Sequence, residues 1–203
     1  MRTRPVLSLL LLLAAAPAAG QRTPSLALAA DIGPAFPLGE FSDDGARRGW
    51  GFGASATLRV TRLLGAFIAA ERTTFDVEES ASPGDGTWTD DGLSVGVRAW
   101  LPVRDDARVH PWAQLGVGWH DVDPPIAGAE FAGLETDGIR TLESGAGVDV
   151  AILREKLFLR PAARYRKYDF ELELGDDVRR TSVSSLTVAV GVGVAFSLRR
   201  ETP

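Results

Sequence analysis

From Leu186 to Leu198 every second residue is large and apolar: Leu186, Val188, Val190, Val192, Val194, Phe196 and Leu198. Between them stand Thr187, Ala189, Gly191, Gly193, Ala195 and Ser197. A period of two is the signature of a strand. This one, placed at Thr181–Leu198, outruns the ~4–8 residues of a half-buried strand in water. It is long enough to cross a bilayer, for which a tilted strand needs roughly 9–11 residues. The division of size constrains the fold further. The core face of a soluble sandwich must supply volume, and here one face holds all of it while the other is glycine, alanine and hydroxyls. A narrow barrel with lipid outside and a crowded, partly polar lumen inside requires that division.

Seven further segments read as strands, giving eight in all: Leu26–Phe36, Trp50–Val60, Leu64–Val77, Leu93–Val103, Val109–Trp119, Arg140–Ile152 and Leu157–Tyr168 precede the last one. Most alternate as it does. Trp50, Phe52, Ala54, Ala56 and Leu58 face one way against Gly51, Gly53, Ser55, Thr57 and Arg59. Leu93, Val95, Val97, Ala99 and Leu101 oppose Ser94, Gly96, Arg98 and Trp100. The third strand is ambiguous, because Phe67 and Ile68 fall on opposite faces. No helix is required. The connections alternate between short (61–63, 104–108, 153–156) and long (37–49, 78–92, 121–139, 171–181). An up-and-down meander sends them to opposite ends, which is the outer-membrane arrangement. The expected fold is therefore an all-β, eight-stranded antiparallel up-and-down transmembrane β-barrel with both termini periplasmic.

The N-terminus points to export. Arg2 and Arg4 form a charged region, Val6–Ala16 an apolar one, and Ala18-Ala19-Gly20 a small-residue cleavage site before Gln21. Residues 1–20 read as a secretory signal peptide, too short to span a membrane as a helix, and 21–203 as one barrel domain. No other apolar run approaches the ~20 residues of a spanning helix. There is no cysteine, so neither disulfides nor thiolate chemistry enter. A net charge of -5 speaks against a nucleic-acid partner.

Charges that recur on alternate positions of a spanning strand belong inside, since an Arg or Lys facing lipid costs roughly 2–4 kcal/mol near the midplane. The inward set is Asp31, Arg59, Arg98, Glu143, Asp149, Arg160, Arg164 and Arg166, with Glu71 joining if the third strand turns it inward. An eight-stranded barrel is just wide enough for side chains to fill, so this set reads as a salt-bridge network plugging the lumen, in which Arg98, Arg160 and Arg164 each pair with a carboxylate. Trp50, Trp119 and Tyr165 on the outward parity lie toward the long-loop end and Phe196 toward the short-turn end, as interfacial girdles do. Trp100 and Trp112 share the inward parity. The second and third long loops, with their flanks, carry eleven acids and no base: Asp76, Glu78, Glu79, Asp85, Asp90 and Asp91, then Asp121, Asp123, Glu130, Glu135 and Asp137. They read as an acidic outer rim that associates weakly with divalent cations bridging lipopolysaccharide. No EF-hand spacing is present, and no cofactor or dedicated metal site is expected.

Several segments together resemble the outer membrane β-barrel domain family, the small barrels similar to OmpA and OmpX. They are Gly33-Pro34-Ala35-Phe36-Pro37-Leu38-Gly39-Glu40-Phe41, His110-Pro111-Trp112-Ala113-Gln114-Leu115-Gly116-Val117-Gly118-Trp119, Ser144–Asp149, Leu159–Tyr165 and the final alternating strand. The resemblance covers nearly the whole mature chain. It implies residence among outer-membrane lipid and lipopolysaccharide, and insertion by the barrel-assembly machinery, which reads an aromatic at the end of the last strand. Phe196 would serve, with Ser197 to Pro203 following it.

The leading functional reading is a monomeric, non-enzymatic integral outer-membrane protein with a structural or surface-interaction role. One alternative is a lipid-modifying enzyme on such a barrel, similar to a lipid A deacylase. It would need a nucleophile beside a base, and His120, the candidate base near the loop end, is followed by Asp121, Val122 and Asp123. Another is a soluble lipocalin-like binder of an apolar ligand, which would put the bulky residues inside and the arginines outside.

Overall fold

The computed structural model describes residues 25–43, 46–77, 87–104, 107–123, 136–153, 156–174 and 177–198, and the backbone alone at 136–138, 170–174 and 177–181. The strands are β1 (Ser25–Leu38), β2 (Ala46–Arg59), β3 (Leu64–Val77), β4 (Thr87–Trp100), β5 (Val109–Asp123), β6 (Thr136–Leu153), β7 (Leu157–Leu174) and β8 (Asp177–Ser197). Each pairs antiparallel with the next, and β8 returns to β1 to close the barrel. Closure satisfies every strand edge, the condition for spanning a membrane with sheet.

Alternation decides the facing. Along β8, Val190 is 57 % exposed while its neighbour Ala189 is 2 % exposed. β3, ambiguous in sequence, resolves with Phe67, Ala69, Glu71, Thr73 and Phe75 inward and Ile68, Ala70 and Arg72 outward. Proline marks gaps in the ladder, since it has no N–H to donate. The β1–β8 register passes from Ile32↔Val190 to Ala35↔Thr187 across Pro34. That of β6 and β7 passes from Gly147↔Ala162 to Val150↔Leu159 across Pro161.

The strands run further toward the loop end than apolar alternation reached. β7 and β8 stay paired out to Leu174↔Asp177, so the expected long connection over 171–181 is a hairpin with only 175–176 between its strands. β4 begins at Thr87, not Leu93, and ends at Trp100, so Leu101–Val103 leave it. The physical reason is that a ladder is made by backbone groups. Above the bilayer the outward side chains no longer need to be apolar, and a reading based on apolar alternation stops too early.

One short helix, α1 (Glu40–Asp43), interrupts the all-strand expectation. Gly39 turns the chain off β1 with a φ of 57°, a left-handed conformation that favours glycine. The turn drops Phe41 onto the barrel's loop end, where it is 2 % exposed. There it meets Phe75 edge-on at 5.1 Å and Trp88 at 5.1 Å. Ala35, Ala46, Val122, Tyr168 and Val183 complete this apolar cluster, with Ile139 packed against it.

Candidate functional site: the charged lumen and its two ends

Below that cap the interior is polar. Arg164 and Arg166 leave β7 two residues apart on one face and reach across the lumen. Arg164 forms ion pairs with Asp31 on β1 and Glu71 on β3; Arg166 pairs with the same Glu71. β3 stands opposite β7 in the ring of eight, so Glu71 joins facing walls. Arg166 Nη1 also donates to Asp90 Oδ2 at 3.0 Å. The other oxygen of Asp90 lies 2.6 Å from His120 Nδ1, and the Tyr168 hydroxyl donates to Oδ2 at 3.3 Å. His120 is 1 % exposed. Its ring stacks at 6.4 Å from that of Tyr168 and fills the place where a side chain on Gly92 would collide with it.

A second group lies nearer the turn end. Arg160 Nε donates to Asp149 Oδ1 at 2.7 Å, and the same carboxylate accepts from Trp112 Nε1 at 3.2 Å and Trp100 Nε1 at 3.5 Å. Arg98 lies 4.1 Å from the centroid of the Trp112 ring. Its Nη2 donates to Gln114 Oε1 at 2.6 Å, and Gln114 Nε2 donates to Glu143 Oε1 at 2.7 Å. The expectation that Arg98 pairs directly with a carboxylate is thus corrected. Gln114 on β5 stands between Arg98 on β4 and Glu143 on β6, and the amide bridges the two charges with one oxygen and one nitrogen. Arg59 lies over Trp100 at 4.5 Å and donates to the Arg62 carbonyl.

The aromatics on the outward parity divide by position. Trp50, Trp119 and Phe196 are exposed; Tyr165 is half-buried and donates to Ser184 Oγ at 3.4 Å. Trp100 and Trp112 are buried inside.

The acidic rim needs the largest correction. Asp90 is 1 % exposed and belongs to the lumen. Asp91 faces out from β4 but is held by Arg72 of β3, with Nε to Oδ1 at 2.7 Å and Nη2 to Oδ2 at 2.5 Å. Asp121 and Asp123 stand on β5 and Asp76 on β3, all exposed. Glu78, Glu79, Asp85, Glu130 and Glu135 lie outside the described residues, and of Asp137 only the backbone is described. The acids read as lacking bases because Arg72, His120 and Arg166 lie outside the loop segments, on β3, β5 and β7, and reach Asp91 and Asp90 on β4 only through the closed sheet. Among the described residues no group of three or more carboxylates and imidazoles is placed to hold a metal ion. Sequence reasoning missed Asp90, His120, Gln114 and Tyr168 as lumen residues, although parity held the signal. His120 continues the inward series Trp112, Gln114, Gly116, Gly118, and Asp90 continues Arg98 and Ser94.

No family model matches the chain and no curated protein matches it. Solved structures do. Neisserial surface protein A superposes with a TM-score of 0.56 at 18 % identity, covering 84 % of this chain and 97 % of the other. The outer membrane protein OprG from Pseudomonas aeruginosa gives 0.57 at 15 % identity, with 87 % and 98 % covered. The outer membrane protein AlkL, solved in lipid bilayers, gives 0.54 at 14 %, with 93 % and 97 % covered. At such identities the likeness carries the fold. Joined to the closed meander, the apolar outer face and the polar interior, it gives this chain the fold of the small eight-stranded outer-membrane β-barrels.

Proposed function

We propose that the protein serves in the outer membrane as a non-enzymatic barrel with a structural or surface-interaction role, its lumen closed by its own side chains. The observation that carries this reading is the cross-lumen strut Arg164–Glu71–Arg166–Asp90, tying β7 to the opposite wall. The mid-lumen space left around Asp31, Arg98, Gln114 and Arg164 is about 10 Å³, room for about one water. A barrel so filled presents its loops and walls to partners and gives solutes no passage. The His120–Asp90 pair has the make-up of a base with its orienting acid. Buried beneath Val122 and Tyr168, it acts instead as part of the strut, which argues against the lipid A deacylase alternative.

In this reading residues 1–20 are removed on export, the barrel-assembly machinery inserts 21–203 as a monomer, and the short-turn end faces the periplasm. Trp50, Trp119, Tyr165 and Phe196 anchor the two interfaces among lipid and lipopolysaccharide. Divalent cations associate weakly with the loop end through exposed acids such as Asp76 and Asp123, whereas Asp90 is inward and Asp91 is engaged by Arg72. Planar-bilayer recording of the folded protein tests the closed lumen. The expected trace is quiet, and stable porin-sized conductance overturns the proposal. Membrane fractionation with heat-modifiable gel migration tests the location.

A further inference from the structure

The space of about 10 Å³ in mid-lumen is close to the roughly 10–15 Å³ that one water needs. Its wall is drawn from β1, β2, β3, β4, β5 and β7, so it lies between facing walls of the barrel. Three hydrogen-bonded chains each send one member to it. Asp31 ends the strut of Arg164, Glu71 and Arg166. Arg98 begins the chain that runs through Gln114 to Glu143. Ser55 is joined to Arg160, which holds Asp149. Among the described residues no hydrogen bond or ion pair passes directly from one of these chains to another.

Each member reaches the space with hydrogen-bonding capacity left over. A guanidinium carries its N–H donors in a fixed fork. Arg98 turns Nε and Nη2 to the one Gln114 oxygen, at 3.1 and 2.6 Å. Its Nη1 has no hydrogen-bond partner in the described structure, although the residue is only 2 % exposed. The rings of Trp112 and Phe67 lie 4.1 and 5.7 Å from the guanidinium and offer it faces, not an in-plane acceptor. Asp31 receives Arg164 on Oδ1, and its other oxygen takes no bond from a described residue. Ser55 accepts from Arg160 Nη1 at 3.4 Å and keeps its own O–H to give. Arg98 and Asp31 line the same space without forming an ion pair with each other. A buried donor left unmatched carries its full desolvation cost, and a water held by two to four polar groups removes it.

We propose that this space is a binding site for one ordered water, which accepts from Arg98 Nη1 and from the Ser55 hydroxyl and donates to Asp31 Oδ2. The water is the node at which the three chains become one network. The volume excludes a larger solute. The site offers donors on one side and a carboxylate oxygen on the other, and a halide, which only accepts, cannot use both. The inference rests on the reading that the lumen is closed by the protein's own side chains, since an open lumen would hold many waters in fast exchange.

The test is water-selective NOE spectroscopy on the folded, full-length mature chain in micelles, with labelled arginine and serine. Cross-peaks from water to the Arg98 Nη–H and Ser55 Hβ protons are expected, with the sign of a bound water and not of a surface one. Ser55→Ala should shorten the residence of that water about fivefold, the weight of one neutral hydrogen bond. Ala69→Ser adds a hydroxyl to the same wall; it should displace the water, abolish the cross-peaks and leave the unfolding midpoint unchanged. Should Ser55→Ala fail to fold, the parent and Ala69→Ser decide the matter. Exchange of chloride for gluconate should change nothing. A quiet bilayer trace with no water cross-peak at Arg98 or Ser55 means a lumen that is closed but dry, and overturns this inference alone; porin-sized conductance overturns the closed lumen with it. Cross-peaks that survive Ala69→Ser, or that depend on chloride, also overturn the inference.

Discussion

At the loop end, Phe41, Phe75, Val122, Tyr168 and Val183 meet over the lumen and close it with carbon. At the turn end the same barrel is left as a cavity walled by Arg59, Lys156, Arg160, Trp100 and Phe158. Between the two ends runs the charge network. The contrast follows from what each end has available. The loop end sits above strands that continue past the bilayer, so inward positions there are enclosed on all sides and can be filled with apolar volume. Gly39 and α1 then fold one more aromatic down as a lid. The turn end is made by tight connections, and among the described residues no element packs over the last inward positions. Its arginines lie on aromatic rings, and Asp149, the one carboxylate among its described lining residues, is shared among three donors. A buried charge is tolerated only where a partner is rigidly supplied, and the loop-side strut supplies it with ions while the turn side supplies it largely with rings and amides.

The sharpest way to break this comparison is Glu71→Ala. It removes the shared partner of Arg164 and Arg166, and an uncompensated buried charge costs about 3–5 kcal/mol. Denaturant unfolding in detergent should show that loss, whereas Arg72→Ala on the outer face of the same strand should stay within about 1 kcal/mol, as exposed ion pairs do. Were the two substitutions equal in effect, the interior network would hold nothing together.

The cap is tested by Phe75→Ala. Phe-to-Ala changes in packed cores cost about 3–5 kcal/mol, and the change should also speed proteolysis at the loop end. A variant as stable as the parent would mean that the lid only rests on the barrel.

Facing is tested on the outer wall. Val190→Arg places a cation toward lipid at about 2–4 kcal/mol near the midplane, and heat-modifiable migration should report a reduced folded fraction. Gly191→Ser, inward and small, should be much milder. Equal tolerance would reverse the inside and the outside.

The smallest effect belongs to the turn end. Thr57→Val removes a buried hydroxyl that has no partner among the described residues while keeping the shape, so stability should rise or hold within about 1 kcal/mol. A clear loss in the unfolding midpoint would show that the hydroxyl is already satisfied in the barrel.

The strand count, the antiparallel order and the facing of most strands were legible because alternation is a property of the local chain: a residue's face follows from its number once the strand is recognised. For the same reason Arg160, Arg164 and Arg166 could be assigned to one inward stripe of β7 from sequence. The reading failed where strands left the membrane. Asp90 and His120 looked like loop residues because the outward side chains beside them, Asp91 and Asp121, are charged, and the alternation of apolar residues ended there. Phe75, Val122 and Val183 had the inward parity too, yet nothing local says that they meet, since they come from β3, β5 and β8.

Sequence by itself therefore determined the barrel: period two fixes strands, small inward residues fix which face is the lumen, and the cost of charge in lipid sends the arginines inside. Only the tertiary structure decided the partners. Glu71 takes two arginines, Gln114 stands between Arg98 and Glu143, and Asp90 sits in the lumen with His120. Those choices depend on register and closure across strands as far apart in the chain as β3 and β7, and no spacing within one strand encodes them.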